Sequence, residues 1–220
     1  PQSMKKVIQD WGMTESNELN LSDAQITITE SSENSQTFSA IYALVAPFPT
    51  ITDSISFIDI QNAWAGIPSG PFAGIPLLMD ETTFEAMRFL LGEPAQGVVK
   101  LVPLDSLLQT AWAERPSWAI VPFEQLSPRW KVLELDGQSP LRKEFDPSAY
   151  PLAVNFSCEG ECGALPPSNR DPEKLTTLIM TGTTALVRAT ANKMEEKGLT
   201  YPSQDIGHIL RSADILHITN

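Results

Sequence analysis

Residues 98–123 read VVKLVPLDSLLQTAWAERPSWAIVPF, and this stretch decides the fold class. At its centre Leu104, Leu107, Leu108, Ala111 and Trp112 fall at i, i+3, i+4, i+7 and i+8. That period places them on one face of an amphipathic helix. Pro116 stops the helix, because proline has no N–H to donate and crowds the preceding turn. Short apolar runs flank it, Val98 to Val102 before and Trp118 to Phe123 after, and Lys131 to Leu135 follows. Runs of this length between prolines read as strands. Strand and helix in alternation predict an α/β layered domain.

Working outward, Thr82-Thr83-Phe84-Glu85 fits a capping box, with Thr82 as N-cap and Glu85 reaching back to it. Phe84, Met87 and Leu91 then share one face, and Gly92 stands where a helix C-cap belongs. Ser39 to Ala46 reads as a buried strand ended by Pro47 and Pro49. Ala24 to Glu30 reads as a strand in which Ile26 and Ile28 alternate with polar residues. Residues 31–36 between them are polar and predict a loop.

On the other side, residues 157–174 carry Cys158, Cys162, Pro166-Pro167 and Asp171-Pro172, and read as a linker. The pattern then restarts with a strand from Leu175 to Thr181 and a helix from about Thr184 to Lys197, closed by Gly198. A helix from Ser203 to Arg211 and a strand from Ile215 to Thr219 complete it. Two strands cannot cover two helices as an independent sheet, so this unit predicts further chain beyond Asn220. The start on Pro1 likewise predicts an upstream segment.

The chain has 220 residues, with 15 Lys plus Arg against 27 Asp plus Glu, for a net charge of -12. That balance argues against nucleic acid, which needs clustered cations, and against a polybasic membrane patch. No apolar run approaches the ~18 residues of a membrane helix.

Few residues carry recognisable chemistry. There is no G-x-S-x-G elbow, Walker A loop or G-x-G-x-x-G run. His208 sits in a helical pattern and His217 in a strand pattern, neither near a cysteine in sequence. Cys158 and Cys162 are too few for a zinc site, which needs two more ligands. They read as a local disulfide, in an oxidising compartment, or as two unlinked thiols. The helix start at Thr82 and Thr83 points free N–H groups at an anion or polar ligand, or is simply a capped surface helix. Trp64 and Trp118 read as cleft lining or as core. Arg129, between Pro128 and Trp130, reads as a ligand clamp or as part of a solvated turn.

Several stretches together carry a resemblance. They are Tyr42-Ala-Leu-Val-Ala-Pro-Phe-Pro49, Asp59-Ile-Gln-Asn-Ala-Trp-Ala-Gly66 and Trp118-Ala-Ile-Val-Pro-Phe123, then Trp130-Lys-Val-Leu-Glu-Leu-Asp-Gly-Gln-Ser-Pro140 and Tyr150-Pro-Leu152. Across about residues 24–156 the chain resembles a type II periplasmic solute-binding domain of the phosphate-binding kind. The resemblance implies a two-lobed domain over 1–156, a small-molecule ligand in the cleft, and an extracytoplasmic location. One departure matters. That family carries Ser-Gly-Thr where this chain has Asp80-Glu81-Thr82-Thr83. Two carboxylates there repel phosphate, which predicts a neutral or cationic ligand or a pocket that has lost its role.

A second set of residues is Thr181-Gly-Thr-Thr-Ala-Leu-Val-Arg188, with Ala213-Asp214-Ile215 and Thr219-Asn220. From Leu175 onward these are similar to the opening of CapA-type proteins, the family linked to capsule and poly-γ-glutamate synthesis. The resemblance implies a truncated β-α-α-β piece of a calcineurin-like metallophosphatase fold over 175–220. It also implies a divalent metal in a full-length parent and the capsule-synthesis machinery as partner. In that family a strand ends in Gly-Asp, followed by Leu-x-Arg. Here Gly182 and Arg188 match, but Thr183 replaces the metal-binding Asp, and a hydroxyl is a poor ligand there. Asp214 and Asn220 fall on the family's second motif.

These observations predict a non-catalytic fragment without a cofactor. Its leading role is the accessory or ligand-binding part of a CapA-like protein that handles an anionic surface polymer. The alternatives are the N-terminal part of a metal-dependent hydrolase, a solute-binding protein for a small ligand, and a structural domain with a vestigial cleft.

Overall fold

The computed structural model describes residues 24–28, 36–160 and 166–219. The chain divides into two compact units, Pro1–Asp171 and Pro172–Asn220. In the first, strands β1 (Ala24–Ile28), β9 (Ala153–Gly160), β2 (Gln36–Pro47), β6 (Trp118–Pro122), β4 (Leu77–Met79) and β5 (Val99–Leu101) lie side by side in that order. β7 (Trp130–Val132) pairs with the far end of β2. β4 runs parallel to both β5 and β6, while β2 is antiparallel to β6, β7 and β9.

Helices α1 (Phe57–Trp64), α2 (Glu81–Leu91) and α3 (Leu104–Ala113) cover this sheet. Alternate residues of β2 face opposite ways. Tyr42, Leu44 and Ala46 pack in one cluster with Ile60 and Trp64 of α1 and Met87 of α2. Ala43 and Val45 pack in another with Leu107 and Ala111 of α3. Buried on both faces, β2 and β6 are almost continuously apolar, as a covered sheet requires. The chain order explains the two layers. α2 leads outward from β4 to the edge strand β5, and α3 returns inward past β4 to β6. Crossovers of one hand that reverse direction place their helices on opposite faces.

The helix read from Leu104 to Trp112 is α3, and its flanking strands are β5 and β6. The run Lys131 to Leu135 is not one strand. β7 pairs with β2, whereas β8 (Glu134–Leu135) pairs with the short β3 (Ser54–Ile55). The chain changes partner at Leu133, whose N–H donates to the Leu44 carbonyl at 2.9 Å.

The resemblance implies two lobes within residues 1–156. The described main strands of this stretch join in one curled sheet. The physical reason is β2, long enough to pair with β9 through residues 36–41, with β6 through 42–45 and with β7 through 45–47.

Within residues 157–174 the described residues up to Asp171 belong to the first unit. Ser157–Gly160 continue β9. Downstream, the Ser39 N–H donates to the Pro167 carbonyl at 2.9 Å, and Arg170 is buried. Arg170 Nε and Nη2 donate to the carbonyls of Pro140 and Arg142 at 2.7 and 2.6 Å. Burial draws the Arg170 guanidinium below its usual range, and these charge-assisted bonds hold it in place.

Gly66, just after α1, is required by its position. Its φ is +77°, and an added Cβ would lie 2.8 Å from Ala95 Cβ. That close approach accompanies the Ala95 N–H donating to the Trp64 carbonyl at 2.8 Å.

The second unit contains β10 (Leu178–Thr183), α4 (Ala189–Lys197), α5 (Gly207–Ser212) and β11 (Ile215–Thr219). β10 and β11 pair in parallel, giving the β-α-α-β order read from sequence. Both helices are shorter than the periodicity predicts. The chain from Thr184 to Arg188 precedes α4, and Arg188 at its N-cap has a φ of +53°.

Candidate ligand-binding site

β4 and β6 are adjacent and parallel, and ligands of open α/β sheets sit outside the carboxyl ends of such strands. Asp80 follows β4 directly, and Pro122, the last residue of β6, is succeeded by Phe123 and Glu124. Tyr42 of β2 stands opposite Pro122 across the antiparallel pair. The register thus brings Asp80 and Glu124, just past the carboxyl ends of β4 and β6, level with Tyr42 midway along β2.

Asp80 caps α2, which corrects the assignment of Thr82 as N-cap. Its Oδ2 accepts from the Thr82 hydroxyl at 2.5 Å and the Thr82 N–H at 3.3 Å. Its Oδ1 accepts from the Thr83 hydroxyl at 2.5 Å and the Thr83 N–H at 3.3 Å. A carboxylate is the better acceptor for the positive end of a helix, so the residue two positions earlier wins the cap. Glu85 turns outward and binds Arg88 at 2.8 Å rather than reaching back to the helix start.

Tyr42 is 1% exposed, and its hydroxyl has no hydrogen-bond partner among the described residues. Burial, then the Glu124 carboxylate, then that of Asp80 hold its pKa well above the usual phenol range. The phenol therefore stays protonated. Glu124 is tied to the sheet through Asn169, whose Nδ2 donates to Glu124 Oε2 at 2.6 Å and to the Ile41 carbonyl at 3.0 Å. Asn169 Oδ1 accepts from the Ile41 N–H at 2.7 Å. Beside the site an open groove of about 590 Å³ follows α2, lined by Thr82, Glu85, Ala86, Phe89, Gly92 and Phe156 among others. Its size suits a small solute.

The residues singled out by sequence divide between this place and others. Thr82 and Thr83 are here, with both hydroxyls and both N–H groups engaged by Asp80. Trp64 and Trp118 are core residues, 2% and 4% exposed, and do not line a cleft. The Trp64 indole donates to the Gly92 carbonyl at 2.9 Å, and that of Trp118 to the Pro71 carbonyl at 3.1 Å. Trp118 also opens β6, at the end opposite Glu124. Arg129 lies over the Trp112 ring at 4.8 Å, beside the start of β7, so it does not clamp a ligand at this site.

Cys158 is in β9, and Cys162 lies outside the described residues, so their pairing stays an expectation. Gly182 and Thr183 end β10, and Thr183 pairs with Thr219. Asp214 Oδ2 accepts from the Thr177 N–H at 2.8 Å, and Asn220 lies outside the described residues. Among the described residues no group of three or more His, Cys, Asp or Glu side chains could hold a metal ion. No helix there is long and apolar enough to cross a membrane.

Tyr42, Glu124 and Asn169 escape the sequence reading. Each is ordinary in its local context: a tyrosine in a buried strand, a glutamate in a turn and an asparagine after two prolines. Only strand pairing brings them together.

No family model matches this chain, and no curated protein does. Among solved structures, an ABC-type phosphate transport receptor from Vibrio cholerae matches with a TM-score of 0.52 and 12% identity, covering 66% of this chain and 70% of that one. PstS from Borrelia burgdorferi matches at 0.47 and 10% identity, covering 94% and 78%. A putative phosphate ABC transporter substrate-binding protein with bound phosphate from Clostridium perfringens matches at 0.45 and 12% identity, covering 64% and 68%. The last two are too distant to weigh. The first establishes a shared fold: a mixed α/β architecture with a curled sheet, of the periplasmic-binding-protein type.

Proposed function

We propose that the Pro1–Asp171 unit is a non-catalytic, extracytoplasmic solute-binding domain whose small ligand meets the protein at the carboxyl ends of β4 and β6. The observation that carries this reading is the Tyr42 hydroxyl, buried and unpartnered where the carboxylates of Asp80 and Glu124 converge. Buried polar groups are nearly always satisfied, so an orphan at the ligand-binding edge of such a sheet favours a ligand as its partner. The likeness to a phosphate transport receptor supports the fold of such a domain, and an extracytoplasmic place goes with that kind of protein. Phosphate itself fits poorly. The N–H and hydroxyl groups of Thr82 and Thr83 at the start of α2 are already engaged by Asp80, and its carboxylate repels a second anion.

A finer role in capsule or poly-γ-glutamate synthesis rests on the sequence resemblance of residues 175–220 alone. In that role the Pro172–Asn220 unit would be the opening of a CapA-like domain, with any metal and catalysis belonging to a longer parent.

The test is calorimetric titration of the full chain with phosphate, amino acids, diamines and sugars, repeated on Tyr42→Phe. Saturable binding that weakens about fivefold in Tyr42→Phe supports the site, since one hydrogen bond is worth about 1 kcal/mol. Binding indifferent to that substitution places the ligand elsewhere. Silence across all four classes refutes the solute-binding reading.

A further inference from the structure

Resting on the solute-binding reading, we infer that the ligand is a primary amine, its ammonium group held by Glu124 and the Tyr42 oxygen while Asp80 takes the place of an external anion. Three observations converge. First, Asp80 is 6% exposed and accepts from both hydroxyls and both N–H groups of Thr82 and Thr83. A helix N-terminus commonly recruits an anion from solution, but here the chain supplies its own. A second anion would meet a buried carboxylate that already engages the Thr82 and Thr83 donors.

Second, the groups that remain offer acceptor lone pairs, one on a carboxylate and one on the protonated Tyr42 phenol, whose own O–H can turn to Glu124. Glu124 commits Oε2 to Asn169 at 2.6 Å, and the Tyr42 oxygen has no partner. An ammonium offers three donors and no acceptor, and so matches a carboxylate beside a phenol oxygen. The charge fits too, because both charges acting on Tyr42 are carboxylates. The arginine of α2, Arg88, is engaged by Glu85 and Glu93 instead.

Third, a bare metal ion is a poorer fit. Asp80 and Glu124 are only two carboxylates, one fully engaged, and no group of three or more candidate ligands exists among the described residues. The groove along α2, with Phe89 and Phe156 in its wall, reaches this place through Thr82, whose hydroxyl binds Asp80.

The experiment titrates the full chain with 1,4-diaminobutane, ethanolamine and lysine, with 1,4-butanediol as uncharged isostere of the first, and with inorganic phosphate. Wild type, Glu124→Gln and Asp80→Ser are compared. At least one amine is expected to bind, with the diol and phosphate at least a hundredfold weaker. Glu124→Gln should weaken the amine at least tenfold. Asp80→Ser keeps a capping side chain but frees donors, and should bind phosphate at least tenfold better than wild type. Phosphate or diol binding the wild type as tightly as any amine overturns the inference, as does amine binding unchanged in Glu124→Gln. If such a ligand is lost in Tyr42→Phe, the solute-binding reading still stands. Silence of all three amines also overturns the inference, and only silence of phosphate, sugars and other amino acids as well takes the solute-binding reading with it.

Discussion

Replacing Asp80 by alanine separates the structural cap from the one the sequence pattern suggests. The substitution removes the acceptor for two N–H groups and two hydroxyls. Loss of an N-cap costs about 0.5–2 kcal/mol. Thr83 is fully buried, so its hydroxyl and N–H are left unsatisfied away from water. Stranding a buried polar group costs about 1–3 kcal/mol. Allowing for partial relaxation, the net loss should be about 2–4 kcal/mol. Thr82→Ala deletes one donor at a half-buried position and should cost under about 1 kcal/mol.

Urea unfolding followed by tryptophan fluorescence measures both variants. All five tryptophans fall within Pro1–Asp171, so the signal reports that unit alone. Hydrogen exchange at the amides of Thr82, Thr83 and Phe84 should accelerate in Asp80→Ala. A greater cost for Thr82→Ala than for Asp80→Ala refutes the Asp80 cap, because Thr82 would then be the cap. A cost for Asp80→Ala of less than about 0.5 kcal/mol, the lower bound for a working cap, refutes it too.

Tyr42→Phe should leave the ligand-free chain as stable as wild type or more so by up to about 1 kcal/mol, since it deletes a buried hydroxyl without a partner. Destabilisation beyond 1 kcal/mol by the same unfolding assay would mean that the hydroxyl is bonded within the protein. Tyr42 and Tyr150 both have phenol pKa values raised by burial, so the native state keeps protons that the unfolded chain loses above about pH 10. Stability should therefore fall as pH rises past 10, with the 295 nm phenolate absorbance of both residues delayed until unfolding; their titration at the ordinary phenol value in the folded chain would contradict this. Gly66→Ala should destabilise the first unit by at least about 1 kcal/mol in urea, because it combines a positive φ with a 2.8 Å approach to Ala95, and a neutral result would show that the turn rearranges.

The strand-helix-strand reading of residues 98–123 holds because each element is set locally, by a 3.6-residue apolar period and by prolines at its borders. The same local logic yields the β-α-α-β order of the second unit and the buried character of β2. It fails where a partner decides. β4 has three residues and β3 has two, too short to show a period before pairing. The run Lys131 to Leu135 splits because its halves bind different strands. The capping box at Thr82 fits the pattern, yet Asp80 outcompetes it by charge and geometry.

Composition and pattern alone thus determined an acidic α/β chain without a recognised catalytic motif, and a family resemblance drew attention to the start of α2. Tertiary structure decided that the main strands of residues 24–160 share one curled sheet, because β2 is long enough to pair along its whole length with three partners. It also decided that Trp64 and Trp118 belong to the core, and that Tyr42, Asp80 and Glu124 come to neighbouring strand positions. Those three are separated by 38 and 44 positions in sequence, and no periodicity links them. Their placement follows from the hydrogen-bond register of β2, β6 and β4, which is fixed only when the sheet is built.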